Sequence, residues 1–354
     1  MKVILKYTLY TLFAAWIFSS CEISLKELQP AVPETRGLME VDVTENLGSS
    51  ADRMKTVRFF VFENISSGTP VLELNQRFDI PAPAEGEASK FKIVLELKMK
   101  VGQTNEKMVV AVVNEPTEMT TGLEAVSDYS GLENATLDFS HFLNDEQTGL
   151  KDEKAMPMTG VIWTDKVFPT VAEAEADPVH MSVLRAVGRV DVYVRQESGL
   201  GLTLEAGTRF SLRNSYDREY LVRHTGSRSF GKIQTVTSGF HTGSVTFSDS
   251  DGLQLPEIQA GEKGRLVASF YTAERTCTAA SNADKLEVGI DIVTHEGAPR
   301  TGTVVVDRFN KEGVKTDVFE ITRNNIYEII ATVGTNGITA FVQDWNDQNI
   351  EPEL

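Results

Sequence analysis

Cysteine is almost missing from this chain: two residues in 354, Cys21 and Cys277. That excludes a disulfide framework and a cysteine-rich zinc site. Histidine is nearly as scarce. The five histidines, His141, His180, His224, His241 and His295, are scattered, and no His-Glu-x-x-His pair is present to hold zinc. His295-Glu296 lacks the second histidine and reads as a loop dipeptide. Basic charge is short as well: 34 Lys plus Arg stand against 51 Asp plus Glu, a formal net charge of −17. A nucleic-acid partner is therefore not expected, because counterion release needs clustered cations. Aromatic residues make up only 8%, and Trp163 and Trp345 read as packing residues rather than sugar platforms. There is no Gly-x-Ser-x-Gly elbow and no Gly-rich phosphate loop ending in Lys-Ser/Thr. Asp249-Ser250-Asp251-Gly252 lacks the glutamate that closes a calcium loop and reads as an acidic turn. No catalytic residue, metal ligand or cofactor is expected, and the chain is read as not an enzyme. Carboxylates are abundant enough that paired acids of the glycosidase kind stay open, although no two are singled out.

Long apolar runs are also lacking, with one short exception. Lys2 and Lys6 precede Tyr7 to Phe18, an apolar stretch too short to span a bilayer stably. It reads as a secretory signal peptide over residues 1–20. The stretch ends Phe18-Ser19-Ser20-Cys21, small residues before a cysteine that resemble a bacterial lipobox, with Cys21 as the lipidated residue. Acyl chains add roughly 0.8 kcal/mol of membrane affinity per buried methylene, so together they hold an exported domain on a membrane. Cys277, between two threonines, reads as a core or strand residue.

What is present reads as strands and turns. Residues 22–36 hold few large apolar side chains, and Pro30 and Pro33 keep them extended, as in a tether. Val57 to Phe62 is a β-rich run. In Phe91 to Met99 the residues Phe91, Ile93, Leu95, Leu97 and Met99 fall on one face, the alternation of a half-buried strand. Met108 to Val113 is apolar throughout, as for a strand covered on both faces. A short helix is expected near Leu132 to Leu143, and an acidic loop closed by Pro178 over residues 171–178. Further strands are read at Val187–Arg195, Arg265–Tyr271, Leu286–Val293, Thr301–Asp307, Asn325–Thr332 and Gly337–Trp345. Asn336-Gly337 between two apolar runs is the strongest short-range hairpin signal. Two blocks of short strands, in a length suited to two domains, argue for two β-sandwiches.

Several segments, taken in order, resemble the fimbrillins of Bacteroides-type bacteria, which build type V pili. They are the lipoprotein signal and a leader ending Glu34-Thr35-Arg36-Gly37; Val57 to Phe62; Val109 to Pro116; and Met156-Pro157-Met158-Thr159-Gly160. Leu184 to Val192, Phe270 to Arg275 and Arg323 to Glu328 with Trp345 complete the set. The resemblance covers residues 37–345. It implies an all-β fold of two tandem Greek-key, transthyretin-like sandwiches with short helices in loops. The divisions are a lipidated leader at 21–36, an N-terminal sandwich at 37–183 and a C-terminal sandwich at 184–354. It further implies an outer-membrane lipoprotein precursor, cut between Arg36 and Gly37 by an arginine-specific protease. Loss of the leader would remove a strand and expose an apolar groove for a strand of another pilin subunit. Ile338, Ala340 and Val342, on one face of the last strand, are the donor candidate, and the product is a head-to-tail cell-surface fimbrium. Asn346 to Leu354 departs from the pattern by being polar, which keeps a tip or accessory adhesin, binding a host protein or glycan, as the alternative role.

Overall fold

The computed structural model describes residues 34–45, 53–63, 70–82, 90–151, 154–223, 240–248, 252–259, 261–278, 285–295, 299–306 and 318–343. The signal segment, Cys21 and Trp345 lie outside the described residues.

The first half contributes β1 (Glu34–Glu45), β2 (Thr56–Glu63), β3 (Val71–Asp79), β4 (Lys90–Lys100) and β5 (Lys107–Val113). Then come α1 (Thr117–Glu124), α2 (Tyr129–Glu133), β6 (Thr136–Asp138), β7 (Met158–Thr164), α3 (Val171–Ala176) and β8 (Val179–Arg185). Seven of these strands form one sheet in the order β3-β2-β5-β7-β8-β1-β4. Its two ends approach one another: Glu73 on β3 accepts from the Lys98 backbone N–H of β4 and pairs with the buried Lys107. One face of this sheet encloses Met39, Val41, Val43, Val57, Phe59, Val61, Val109, Ala111, Val113, Met181 and Val183. The intervening side chains of β2 and β5, Phe60, Phe62, Val110 and Val112, enter a second core with Leu123, Leu132 and Phe139. Burial on both faces is why β5 carries no polar alternation. The expected alternation of β4 is present, with Leu95 and Leu97 buried and Lys92, Glu96 and Lys98 exposed.

The second half supplies β9 (Gly188–Gln196), β10 (Thr203–Leu204), β11 (Arg209–Tyr216), β12 (Arg218–Tyr220), β13 (Phe240–Thr246), β14 (Leu253–Gln254) and β15 (Arg265–Thr272). It continues with β16 (Arg275–Thr278), β17 (Glu287–Ile292), β18 (Arg300–Val305), β19 (Val318–Ile321), β20 (Ile326–Gly334) and β21 (Gly337–Gln343). Two four-stranded sheets, β13-β11-β17-β18 and β15-β9-β20-β21, face each other across a core of Val190, Val192, Phe210, Phe270, Ile290, Ile329 and their neighbours. The all-β sandwich expectation holds, and the hairpin expected at Asn336-Gly337 joins β20 to β21.

Local expectations differ in three places. The leader was read as extended to Arg36, but β1 begins at Glu34. The helix expected over 132–143 is split into α2, closed on its N-terminal side by Asp128 accepting from Gly131 N–H, and a 3₁₀ turn at Phe139–His141. Its continuation is diverted because Thr136–Asp138 pairs with Arg218–Tyr220 of the second half. The acidic loop at 171–178 contains α3, started by an N-cap: Thr170 Oγ1 accepts from Glu173 N–H and donates to the Glu173 carboxylate at 2.7 Å.

Candidate functional site

β1 lies inside the sheet rather than on its edge. It runs antiparallel to β4 from Glu34↔Lys100 to Thr44↔Lys90, and parallel to β8 only from Val41↔Val179 to Glu45↔Val183. Met39, Val41 and Val43 point into the core and are fully buried. Burying each is worth roughly 1.5–3 kcal/mol, so these three side chains alone rival the usual 5–15 kcal/mol stability of a domain.

Where β8 stops short, a strap takes over. Leu38 and Phe168 exchange two backbone hydrogen bonds, Leu38 N–H to Phe168 O at 2.7 Å and Phe168 N–H to Leu38 O at 2.8 Å. α3, which follows this bridge, packs against β1. At the base of the strap Lys166 Nζ pairs with Asp177 at 2.8 Å. Gly37 sits under the strap at a very close crossing. A Cβ added there would lie 2.8 Å from Met99 Cβ and closer still to Val167 Cγ1. On the outer face Glu40 is buried and pairs with Lys92 of β4 at 2.5 Å. A hydrogen bond to Glu40 is the main reason the Lys92 ammonium titrates above its usual range.

The residues read from sequence fall as follows. Arg36 is the third residue of β1, opposite Lys98, with its side chain 66% exposed and paired to Glu96 at 2.8 Å. A cut between Arg36 and Gly37 would leave Gly37 to Glu45 in the sheet. Ile338, Ala340 and Val342 lie on β21, at the edge of its sheet, and pack against the core of their own half. Phe341 on the other face is 48% exposed, with the Arg195 guanidinium 6.0 Å from its ring centre.

A second constellation lies where the halves meet. Arg323 is buried; its Nε donates to Glu274 at 3.1 Å, and its terminal nitrogens donate to Leu221 O at 3.0 Å and Tyr220 O at 2.8 Å. It also reaches Thr159 of β7 at 3.4 Å. Arg223 Nε donates to the same Glu274 at 2.9 Å. Glu219 accepts from the Glu274 backbone N–H at 2.9 Å. Asn324, in a left-handed conformation at φ 62°, accepts from Arg185 N–H at 3.3 Å. Burial raises the Glu274 carboxyl, but Arg323 and Arg223 outweigh it and hold the group below its ordinary value. Burial pushes Glu219 up to about 8; Arg323 offsets part of this and the Glu274 charge adds to it. These paired acids are enclosed by arginines and backbone of the second half; the links to the first half run through Arg323 to Thr159 and through Asn324 to Arg185. The segments at 156–160, 184–192, 270–275 and 323–328 each send a residue to this junction. Sequence reading set them side by side only as a resemblance.

Functional residues missed in the sequence are Gly37 as a packing glycine, Val167, Phe168, Glu40 and Lys92. The apolar alternation Met39, Val41, Val43 was the available signal for β1.

No protein-family model matches the chain, and no curated protein matches it by sequence. Solved structures do resemble it. The tip fimbrial protein Mfa3 from Porphyromonas gingivalis, in a C-terminally truncated form, superposes with a TM-score of 0.53 at 13% identity, covering 88% of this chain and 100% of that one. A fimbrial assembly protein from Parabacteroides distasonis gives a TM-score of 0.50 at 12% identity, covering 88% of this chain and 97% of that one. By these likenesses the chain has a Bacteroides-type fimbrillin-like fold.

Proposed function

We propose that this chain is a structural subunit of a cell-surface pilus, assembled by exchanging β1 for a strand of another subunit. The observation that carries the reading is β1 itself. It is the first described strand, next to the leader, and it fills an internal slot between β4 and β8 with three fully buried side chains. Likeness to a tip fimbrial protein and to a fimbrial assembly protein supports the same role. In this scheme Cys21 carries the lipid that holds the exported precursor at the outer membrane, and an arginine-specific protease matures it.

Arg36 lies near the start of β1 and Arg53 beyond its end. Cleavage between Arg36 and Gly37 detaches the lipidated leader. Cleavage after Arg53, an exposed residue just before β2, severs the chain between β1 and β2 and allows the whole strand to leave. β21, with Ile338, Ala340 and Val342, is the donor offered to the next subunit. It sits at a sheet edge, so it can peel away without breaking a second ladder. A tip or accessory adhesin is the second reading, favoured by the likeness to a tip fimbrial protein and by the polar run after Trp345.

Electron microscopy and N-terminal sequencing of leader-containing and protease-treated protein test the scheme. Fibres or subunit complexes only after treatment, with a new N-terminus at Gly37 or Met54, are expected. Assembly of an uncut Arg36→Ala, Arg53→Ala double variant would sink it.

A further inference from the structure

The slot that holds β1 is selective, and its demands can be read from the residues around it. We infer that it accepts a strand of the form Gly–x–apolar–acid–apolar–x–apolar supplied by a different kind of subunit, not by the β21 of a second copy of this chain. The inference rests on the strand-exchange reading and names the partner that reading leaves open.

Three demands follow from geometry. At the Gly37 position no side chain fits. The nearest obstacle besides Val167 is the Cβ of Met99, a backbone-fixed atom 2.8 Å away that a rotamer change cannot move. At positions 39, 41 and 43 the side chains must be apolar, because those sites are wholly buried and a polar group there would lose its water without a partner. At position 40 an acid is called for, because Lys92 reaches over the strand to the Glu40 carboxylate at 2.5 Å.

A second strand of this chain shows the same form. Gly188-Arg189-Val190-Asp191-Val192-Tyr193-Val194, in β9, has parallel β20 on one side and antiparallel β15 on the other, as β1 has β8 and β4. Val190, Val192 and Val194 are fully buried. Asp191 is held from β15 by the Ser269 hydroxyl at 2.7 Å and by Arg189 at 2.8 Å. The form is thus shared by β1 and β9, whereas β8 and β20, which also have one parallel and one antiparallel neighbour, do not carry it.

β21 does not meet the demands in any register. With Ile338, Ala340 and Val342 at the three apolar positions, Asn336 falls where only glycine fits and Thr339 stands where Lys92 needs an acid. Sliding two residues one way puts Asn336 into the Met39 site; sliding two the other way puts Ile338 on the glycine position. The matching run in β9 is no source either, since it is the centre of its own core.

The test uses the folded full chain with residues 46–52 replaced by a site for a sequence-specific protease. After the cut, labelled peptides compete for the β1 slot. The wild-type 34–45 peptide is expected to exchange in. Its Gly37→Ala form should compete about tenfold more weakly, from overpacking, and recover in part on a Val167→Ala chain. Its Glu40→Lys form should also be about tenfold weaker, from like charge facing Lys92. A 334–343 peptide should not compete. If that peptide or the Gly37→Ala form competes like wild type, the selectivity is overturned; no recovery with Val167→Ala overturns the role given to Val167. In the uncut chain, thermal unfolding of Gly37→Ala with and without Val167→Ala reads the same gate without exchange. Coupling there, with no exchange by any peptide, removes the strand-replacement reading and leaves the gate; no coupling removes the gate.

Discussion

β1 in the first half and β9 in the second occupy equivalent places. Each is a central strand with a parallel neighbour and an antiparallel one, and each buries three alternate apolar side chains beside a buried acid. They differ in how firmly they are held. β9 keeps its parallel register with β20 along its whole length, from Ile326↔Arg189 to Val333↔Gln196. β1 has parallel pairing only over its last five residues, and the Leu38–Phe168 bridge of the strap serves for the remainder. The same sequence form is therefore held by a long parallel ladder in one half, and by a short parallel ladder plus a strap in the other. The difference lies in the neighbours, not in the strand.

The comparison can be broken experimentally. The largest effect is expected from a charge in the middle of each strand. Val192→Asp should abolish cooperative folding of the second half, because an unpaired buried charge costs several kcal/mol. Val41→Asp should loosen the first-half sheet while hydrogen exchange still shows β9 and β20 protected. Loss of protection in both halves with Val41→Asp would mean that β1 is as permanent as β9.

The junction between the halves comes next. Glu274→Gln leaves the buried Arg323 and the half-buried Arg223 without their carboxylate and should cost about 3–5 kcal/mol in denaturant unfolding. Splitting of a single transition into one for each half would be the accompanying sign. Its neighbour Glu219 sets a pH dependence. Because burial raises its folded pKa to about 8, above the ordinary carboxyl value of 4.5, the fold favours its protonated form. That contribution is fully present below about pH 4.5 and is lost as pH rises to about 8. Glu219→Gln should flatten this part of the Tm–pH curve; an unchanged curve would assign the effect elsewhere.

Glycine substitutions sharpen the comparison on a smaller scale. Gly37→Ala should destabilise by about 1–3 kcal/mol through overpacking. Gly188→Ala should cost less, because its nearest obstacle, Thr322 O, is 3.1 Å away. The smallest effect is at Arg36: its exposed pair with Glu96 contributes about 0–1 kcal/mol, so Arg36→Ala should leave Tm nearly unchanged while abolishing cleavage at that bond.

Much of the fold was legible in the chain. The alternation of β4, the apolar run of β5 and the Asn336-Gly337 hairpin each carry a local signal strong enough to survive folding. α3 was missed: Thr170 and Glu173 have the spacing of a helix start, but the Ala-Glu run next to Pro178 reads as loop when it is taken by composition. The helix expected beyond Glu133 failed for a reason no local window holds: Thr136–Asp138 finds its partner at Arg218–Tyr220.

By itself the sequence determined a cysteine-poor, acidic β-protein, because composition and alternation act over a few residues and need no partner. Only the tertiary structure decided how each strand is held. Gly37 is small because Val167 and Met99 crowd it, and Arg323 is buried because Glu274, Tyr220 and Leu221 converge on it from distant parts of the chain. β1 leans on a strap because parallel pairing reaches it only from Val41 onward. Those facts depend on long-range neighbours, and neighbours are set by packing, not by local pattern.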